Sequence, residues 1–86
     1  LINQITRSVT SMGANGQEAD GSTSRNQFFN SFTIVKKETK ETNYWLGIIY
    51  ETNKGFQLKM KDIVREGKEI EAIVSSIVQK DDRVRK

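Results

Sequence analysis

Between residues 25 and 52, Phe28, Phe32, Val35, Thr39, Thr42, Leu46 and Ile49 recur in unbroken steps of four and three. That spacing tracks one face of a 3.6-residue helix and is incompatible with the two-residue period of a strand. The chain holds no proline, so nothing interrupts the repeat. Ser24-Arg25-Asn26-Gln27 has the form of a capping box, with the Ser24 hydroxyl accepting from the Gln27 amide and the Gln27 side chain reaching back. Asn53-Lys54-Gly55 reads as the stop, with Gly55 in a left-handed cap. The pattern predicts a helix over 25–52, about 40 Å long at 1.5 Å per residue. A second stripe, Ile34, Glu38, Glu41, Trp45 and Ile48, flanks the first and is apolar at its ends.

Two further segments repeat the spacing. Ile2, Ile5, Val9, Met12, Gly16 and Ala19 form one stripe, and Phe56, Met60, Ile63, Gly67, Ile70, Val74 and Ile77 another, widened by Val64 and Ile73. They predict helices over about 1–20 and 57–80. The first stripe is already in phase at Ile2 and no cap precedes it, so its helix is expected to start upstream. Alone, Gly13-Ala14-Asn15-Gly16 reads as a turn, but the stripe passes through it in phase and favours an unbroken helix with a small-residue patch. Links of about four residues, 20–23 and 53–56, make successive helices antiparallel neighbours. The expected fold is all-α, an antiparallel up-down bundle of three long helices. Residues 81–86, Asp-Asp-Arg-Val-Arg-Lys, read as a charged tail.

Composition narrows the chemistry. At 86 residues and 35% apolar, one domain with a small core is the limit. There is no cysteine and no histidine, which removes thiolate chemistry, disulfides and the commonest general base and zinc ligand. No phosphate loop or calcium-loop spacing occurs. The chain is therefore read as lacking an enzyme's active site and any cofactor. No window has the length of a membrane span, and the expected location is cytoplasmic. The net charge of +3 permits contact with nucleic acid without demanding it.

Three motifs in order carry a family resemblance. Gln4-Ile5-Thr6-Arg7-Ser8 is followed by Ser11-Met12-Gly13-Ala14-Asn15-Gly16-Gln17-Glu18-Ala19. Then come Ser24-Arg25-Asn26-Gln27-Phe28 and Lys37-Glu38-Thr39-Lys40-Glu41-Thr42-Asn43-Tyr44-Trp45-Leu46. Together they resemble the 23S rRNA-intervening-sequence (S23-like) four-helix-bundle proteins over about residues 1–80. Gly16 departs from the Ile or Val usual there, and Gln27 from the usual acid. The resemblance implies a four-helix bundle whose first helix lies upstream. It also implies a homopentamer, and kinship with the accessory variability protein of diversity-generating retroelements, which binds nucleic acid and a reverse transcriptase. Most members have no assigned biochemical function.

The residues offer a short set of candidate sites. Arg25, Lys36, Lys37 and Lys40 make a basic stretch on the second helix. Arg83, Arg85 and Lys86 add basic groups in the tail, opposed by Asp81 and Asp82. These are candidate phosphate contacts, with a solvated face the plainer alternative. Arg7, Asn15 and Glu18 are expected near one another on the first helix, as a polar contact fixing packing or an interface. Trp45, off the main stripe, is expected to be covered by core, a further helix or a subunit rather than to stack on bases. The function expected is a non-enzymatic, oligomeric helical interaction module with basic surface for RNA, DNA or a nucleic-acid enzyme. The alternative is a protein–protein adaptor without a nucleic-acid role.

Overall fold

The computed structural model describes the backbone of residues 2–85 and the side chains of residues 3–80. Its order is α1 (Ile2–Asp20), α2 (Arg25–Thr52), a one-turn 3-10 segment (Lys54–Phe56) and α3 (Gln57–Arg85). Helix α1 runs unbroken through Gly13–Gly16, so the periodic stripe outweighs the turn-forming residues. The charged side chains expected as a tail, Arg83, Arg85 and Lys86 among them, lie outside the described residues.

The helix ends follow local hydrogen bonding. The Gln27 backbone N–H donates to Ser24 Oγ at 3.1 Å, which satisfies one of the orphan donors of the first turn of α2. The Gln27 side chain is exposed and, among the described residues, returns no bond to Ser24. The expected left-handed Gly55 is corrected: no described glycine has a positive φ. Asn53 ends α2 instead, at φ −127° and ψ 72°. Its backbone N–H and its side-chain amide each donate to Ile49 O at 3.0 Å. With that carbonyl satisfied twice, no left-handed residue is needed, and the Phe56 N–H closes the tight turn on Asn53 O at 2.9 Å.

Helix α2 is the centre of the molecule. Helices α1 and α3 both pack against it and, among the described residues, not against each other. The body is elongated, 46 × 23 × 15 Å, which is an open layer of three helices rather than a closed cylinder. The core is correspondingly thin. Only Ala19, Val35 and Val74 are buried apolar side chains among the described residues, whereas Ser8, Ser31, Glu38, Thr39 and Thr42 are buried polar ones.

Polar pins hold the layer together. Between α1 and α2, Thr42 Oγ1 donates to Ser8 Oγ at 2.8 Å, or to the Glu38 carbonyl 2.9 Å away. The Ser8 hydroxyl has its own acceptor in Gln4 O at 3.0 Å. The buried hydroxyls of Ser8 and Thr42 thus both have partners, as burial requires. Between α2 and α3, Asn43 Nδ2 donates to Gly67 O at 2.8 Å and to Glu71 Oε1 at 2.9 Å.

Candidate functional site

The open layer leaves an apolar groove over α2, walled by α1 and α3. Its sides are Val9 and Met12 of α1 and Ile63, Glu66, Gly67 and Ile70 of α3, and its floor is Thr39, Thr42, Asn43 and Leu46. The hollow measures about 240 Å³. Val9, Ile63 and Ile70 are 50%, 53% and 45% exposed, although each sits in the middle of its helix's apolar stripe. These stripes therefore face the groove without filling it. The threonines that weaken the centre of the α2 stripe form the floor; the Thr39 hydroxyl turns back onto Val35 O (2.7 Å) and that of Thr42 lies between Glu38 O and Ser8 Oγ. What the groove presents is mostly carbon, which suits another helix edge and not a polar small molecule.

An electrostatic cluster sits on the α1–α2 seam. Arg7 hydrogen-bonds Glu41 Oε1 and lies 3.4 Å from Glu38 Oε2. Glu38 is 6% exposed, and its Oε2 has no partner in hydrogen-bond geometry, so Arg7 supplies the charge that a buried carboxylate needs. The hydrogen bond to Glu41, followed by the charges of Glu38 and Glu41, raises the Arg7 pKa above its ordinary value. The same hydrogen bond holds Glu41 below the usual carboxylate range. Arg7 is thus joined to α2 and not to Asn15 or Glu18, which corrects the expectation that the three gather. Asn15 Nδ2 donates to Ser11 O of its own helix at 2.9 Å, and Glu18 is exposed with no partner among the described residues. Eleven residues, about 16 Å along the axis, separate Arg7 from Glu18.

Trp45 lies on the same side of α2 as Glu38 and Glu41 and is half-buried. Its indole nitrogen is shut off from solvent with no acceptor in hydrogen-bond geometry. The exposed Tyr44 ring meets it edge-on, 5.0 Å between centroids.

The basic stretch of α2 divides. Lys36, Lys37 and Lys40 surround, with Thr33, a shallow hollow of about 370 Å³. Among the described residues none of the three has an ion-pair partner, and Lys37 acts on Glu41 only through its charge. Arg25 is apart from them, its guanidinium 5.5 Å from the Phe29 ring centroid. Sequence reasoning missed a second basic stripe, Lys61, Arg65 and Lys68 on α3, which shares a hollow with Tyr50 of α2. The i, i+4, i+7 spacing was available as a signal; the pairing with Tyr50 was not.

Among the described residues, no group of three Asp or Glu side chains could hold a metal ion, and no helix is long and apolar enough to cross a membrane.

No curated protein matches the sequence. A solved structure of a protein of unknown function, from the S23 ribosomal protein family of Bacteroides thetaiotaomicron, superimposes with a TM-score of 0.78 at 38% identity. The match covers 88% of this chain and 70% of that one. The sequence profile of the 23S rRNA-intervening sequence proteins matches residues 1–76. The three ordered motifs, the helical layer and these matches agree, and the chain belongs to the 23S rRNA-intervening sequence protein family.

Proposed function

We propose that the chain is a non-enzymatic helical interaction module that assembles by receiving one more amphipathic helix in the groove between α1 and α3. The observation that carries this is the half-exposed trio Val9, Ile63 and Ile70 lining a mostly apolar groove. Fully burying such a side chain is worth roughly 1.5–3 kcal/mol and covering the exposed half of each about half of that, and a core this thin gains most from a cover. The length of the Bacteroides relative supports a helix as the occupant. Eighty-eight per cent of 86 residues is about 76, and 76 is 70% of about 108, so roughly 32 of its residues lie outside the match. As a helix they would span about 48 Å, the length of this molecule's 46 Å long axis. The occupant we assign is such a helix of the same protein. Where this 86-residue chain stands alone, a second copy takes its place, which builds an oligomer, a pentamer by family resemblance.

The lysines of α2 line a hollow that shares no residue with the groove. Lys36, Lys37 and Lys40 give an assembled ring a repeated positive patch for RNA, DNA or a nucleic-acid enzyme such as a reverse transcriptase. Repetition multiplies a weak patch into useful avidity.

Light scattering over a concentration series, with an apolar-surface dye, tests the groove. The chain is expected to associate or take up dye, and Ile63→Lys with Ile70→Lys to abolish both. A dye-free monomer at high concentration overturns the reading. Labelled structured RNA at near-physiological salt then separates the two kinds of module. No shift at high protein concentration leaves the groove intact and makes the chain a protein–protein adaptor.

A further inference from the structure

On the side of α3 turned away from the apolar groove, Lys61, Val64, Arg65 and Lys68 face Tyr50 of α2 across a hollow of about 330 Å³. It shares Tyr50, Val64 and Lys68 with an adjoining recess of about 150 Å³, which is also lined by Asn43, Leu46, Gly47 and Glu51. Gly47 lines the recess without a side chain, and a Cβ there would meet nothing within 4 Å. Both ends of the hollow are pinned. Asn43 ties α2 to Gly67 and Glu71, and Gln57 Nε2 donates to Tyr50 O at 2.9 Å.

The charges are unequal. Arg65 is engaged by Asp62 at 3.3 Å and Glu69 at 3.9 Å. Lys61 and Lys68 have no ion-pair partner among the described residues. Two free ammonium groups at the mouth, a phenol ring on one wall and Val64 and Leu46 behind are the parts of a site for an anion carrying a flat ring. Glu51 lines the recess and not the outer hollow, so an anion is favoured on the Lys61 side. The volume sits at the lower end of the range for small-ligand sites, about 300–1,000 Å³, and suits a single unit.

We propose that this hollow binds one nucleotide unit, its phosphate between Lys61 and Lys68 and its base against Tyr50. The outer hollow shares no lining residue with the helix groove, and the recess meets the groove floor only at Asn43 and Leu46; the proposal does not rest on what fills the groove. The unit is either a free nucleotide or one residue of a single strand.

The test titrates the full chain with AMP, inorganic phosphate and a 5′-phosphorylated octa-adenylate at low salt, read by backbone amide shifts. AMP is expected to move the amides of Tyr50, Val64 and Lys68 and to bind more tightly than phosphate. Tyr50→Leu is expected to weaken AMP by roughly five- to a hundredfold, as losing one stacking platform does, and Tyr50→Phe to restore it. Gly47→Leu fills the recess while favouring the helix, and is expected to abolish AMP binding with the helical circular dichroism unchanged. An octa-adenylate bound more than tenfold tighter than AMP identifies a strand as the source, and equal affinities a free nucleotide. AMP no tighter than phosphate, or AMP binding indifferent to Tyr50→Leu, overturns the proposal, and neither result touches the groove.

Discussion

Asn43 of α2 seats its amide against Gly67 of α3 in the space that a side chain at position 67 would take. The Asn43 amide donates to Gly67 O at 2.8 Å, and a Cβ built on Gly67 would fall on the Asn43 side-chain oxygen. In isolation a glycine inside a helix costs about 1 kcal/mol relative to alanine. Here it is the condition for the contact.

Gly67→Ala is therefore expected to destabilise the protein, because the added methyl displaces the Asn43 amide from two hydrogen bonds of about 1 kcal/mol each, which outweighs the gain in helix propensity. In an Asn43→Ala background the obstacle is gone and the same substitution should stabilise through helix propensity. A double-mutant cycle by urea denaturation reads this change of sign. Additive effects would mean that the two residues are not in contact.

Gly13 and Gly16 should respond in the opposite way. Both lie within α1, neither has a positive φ, and an added Cβ meets nothing within 4 Å at either. Gly13→Ala and Gly16→Ala are each expected to raise stability by about 0.4–1 kcal/mol, by restricting the unfolded chain and favouring the helix. Thermal melts of the single variants check it, and a lowered midpoint would mean that the small-residue patch is occupied in solution.

Arg7 should set the acid limb of the stability profile. Glu41 is held below its ordinary value of 4.5 by its hydrogen bond to Arg7. A carboxylate with a depressed folded-state pKa contributes stability above its unfolded value and loses it as pH falls through the folded one. Arg7 is shifted upward, so its own contribution is complete through neutral and acid pH and does not change in acid. Arg7→Gln is thus expected to lower stability at neutral pH, where it leaves Glu38 buried without its cation, and to flatten the decline below pH 4.5. Urea midpoints for both proteins between pH 7 and pH 3 decide it. Parallel curves would place the acid sensitivity elsewhere.

How far the sequence foretold the structure depends on how local each feature is. The helices were legible because apolar spacing is repeated over many residues, enough to carry α1 through Gly13–Gly16. The Ser24 cap was legible because donor and acceptor stand three residues apart. Gly55 misled because glycine type marks only permission for a left-handed turn, and Asn53 satisfied the carbonyl first. The partners of Arg7 lie 31 and 34 residues away on another helix, and Asn15 and Glu18 were near only in sequence. The meeting of Tyr50 with Lys61 and Lys68 depends on the register of α2 against α3, which no local pattern encodes. The half-exposure of Ile63 and Ile70 was hidden for a related reason: a periodic stripe says which side of a helix is apolar, not whether anything covers it.

The lysine face of α2 offers the last prediction. Lys36, Lys37 and Lys40 share a hollow with Thr33 and have no ion-pair partner among the described residues, so a bound phosphate would not first have to displace a carboxylate. If RNA or DNA is held there, its affinity must fall with salt as counterions are released, with a log–log slope of about −0.7 to −0.9 per phosphate contacted. Lys36→Gln, Lys37→Gln and Lys40→Gln together should lower the magnitude of that slope by about 2–3 per protomer engaged. Stability should change little, because Lys37 and Lys40 are exposed and Lys36 is only half-buried. Fluorescence anisotropy with a labelled RNA hairpin from about 50 to 200 mM salt supplies the slope. A slope that survives all three substitutions would remove this face from the interface, and one near zero in the unmodified protein would remove nucleic acid from its partners.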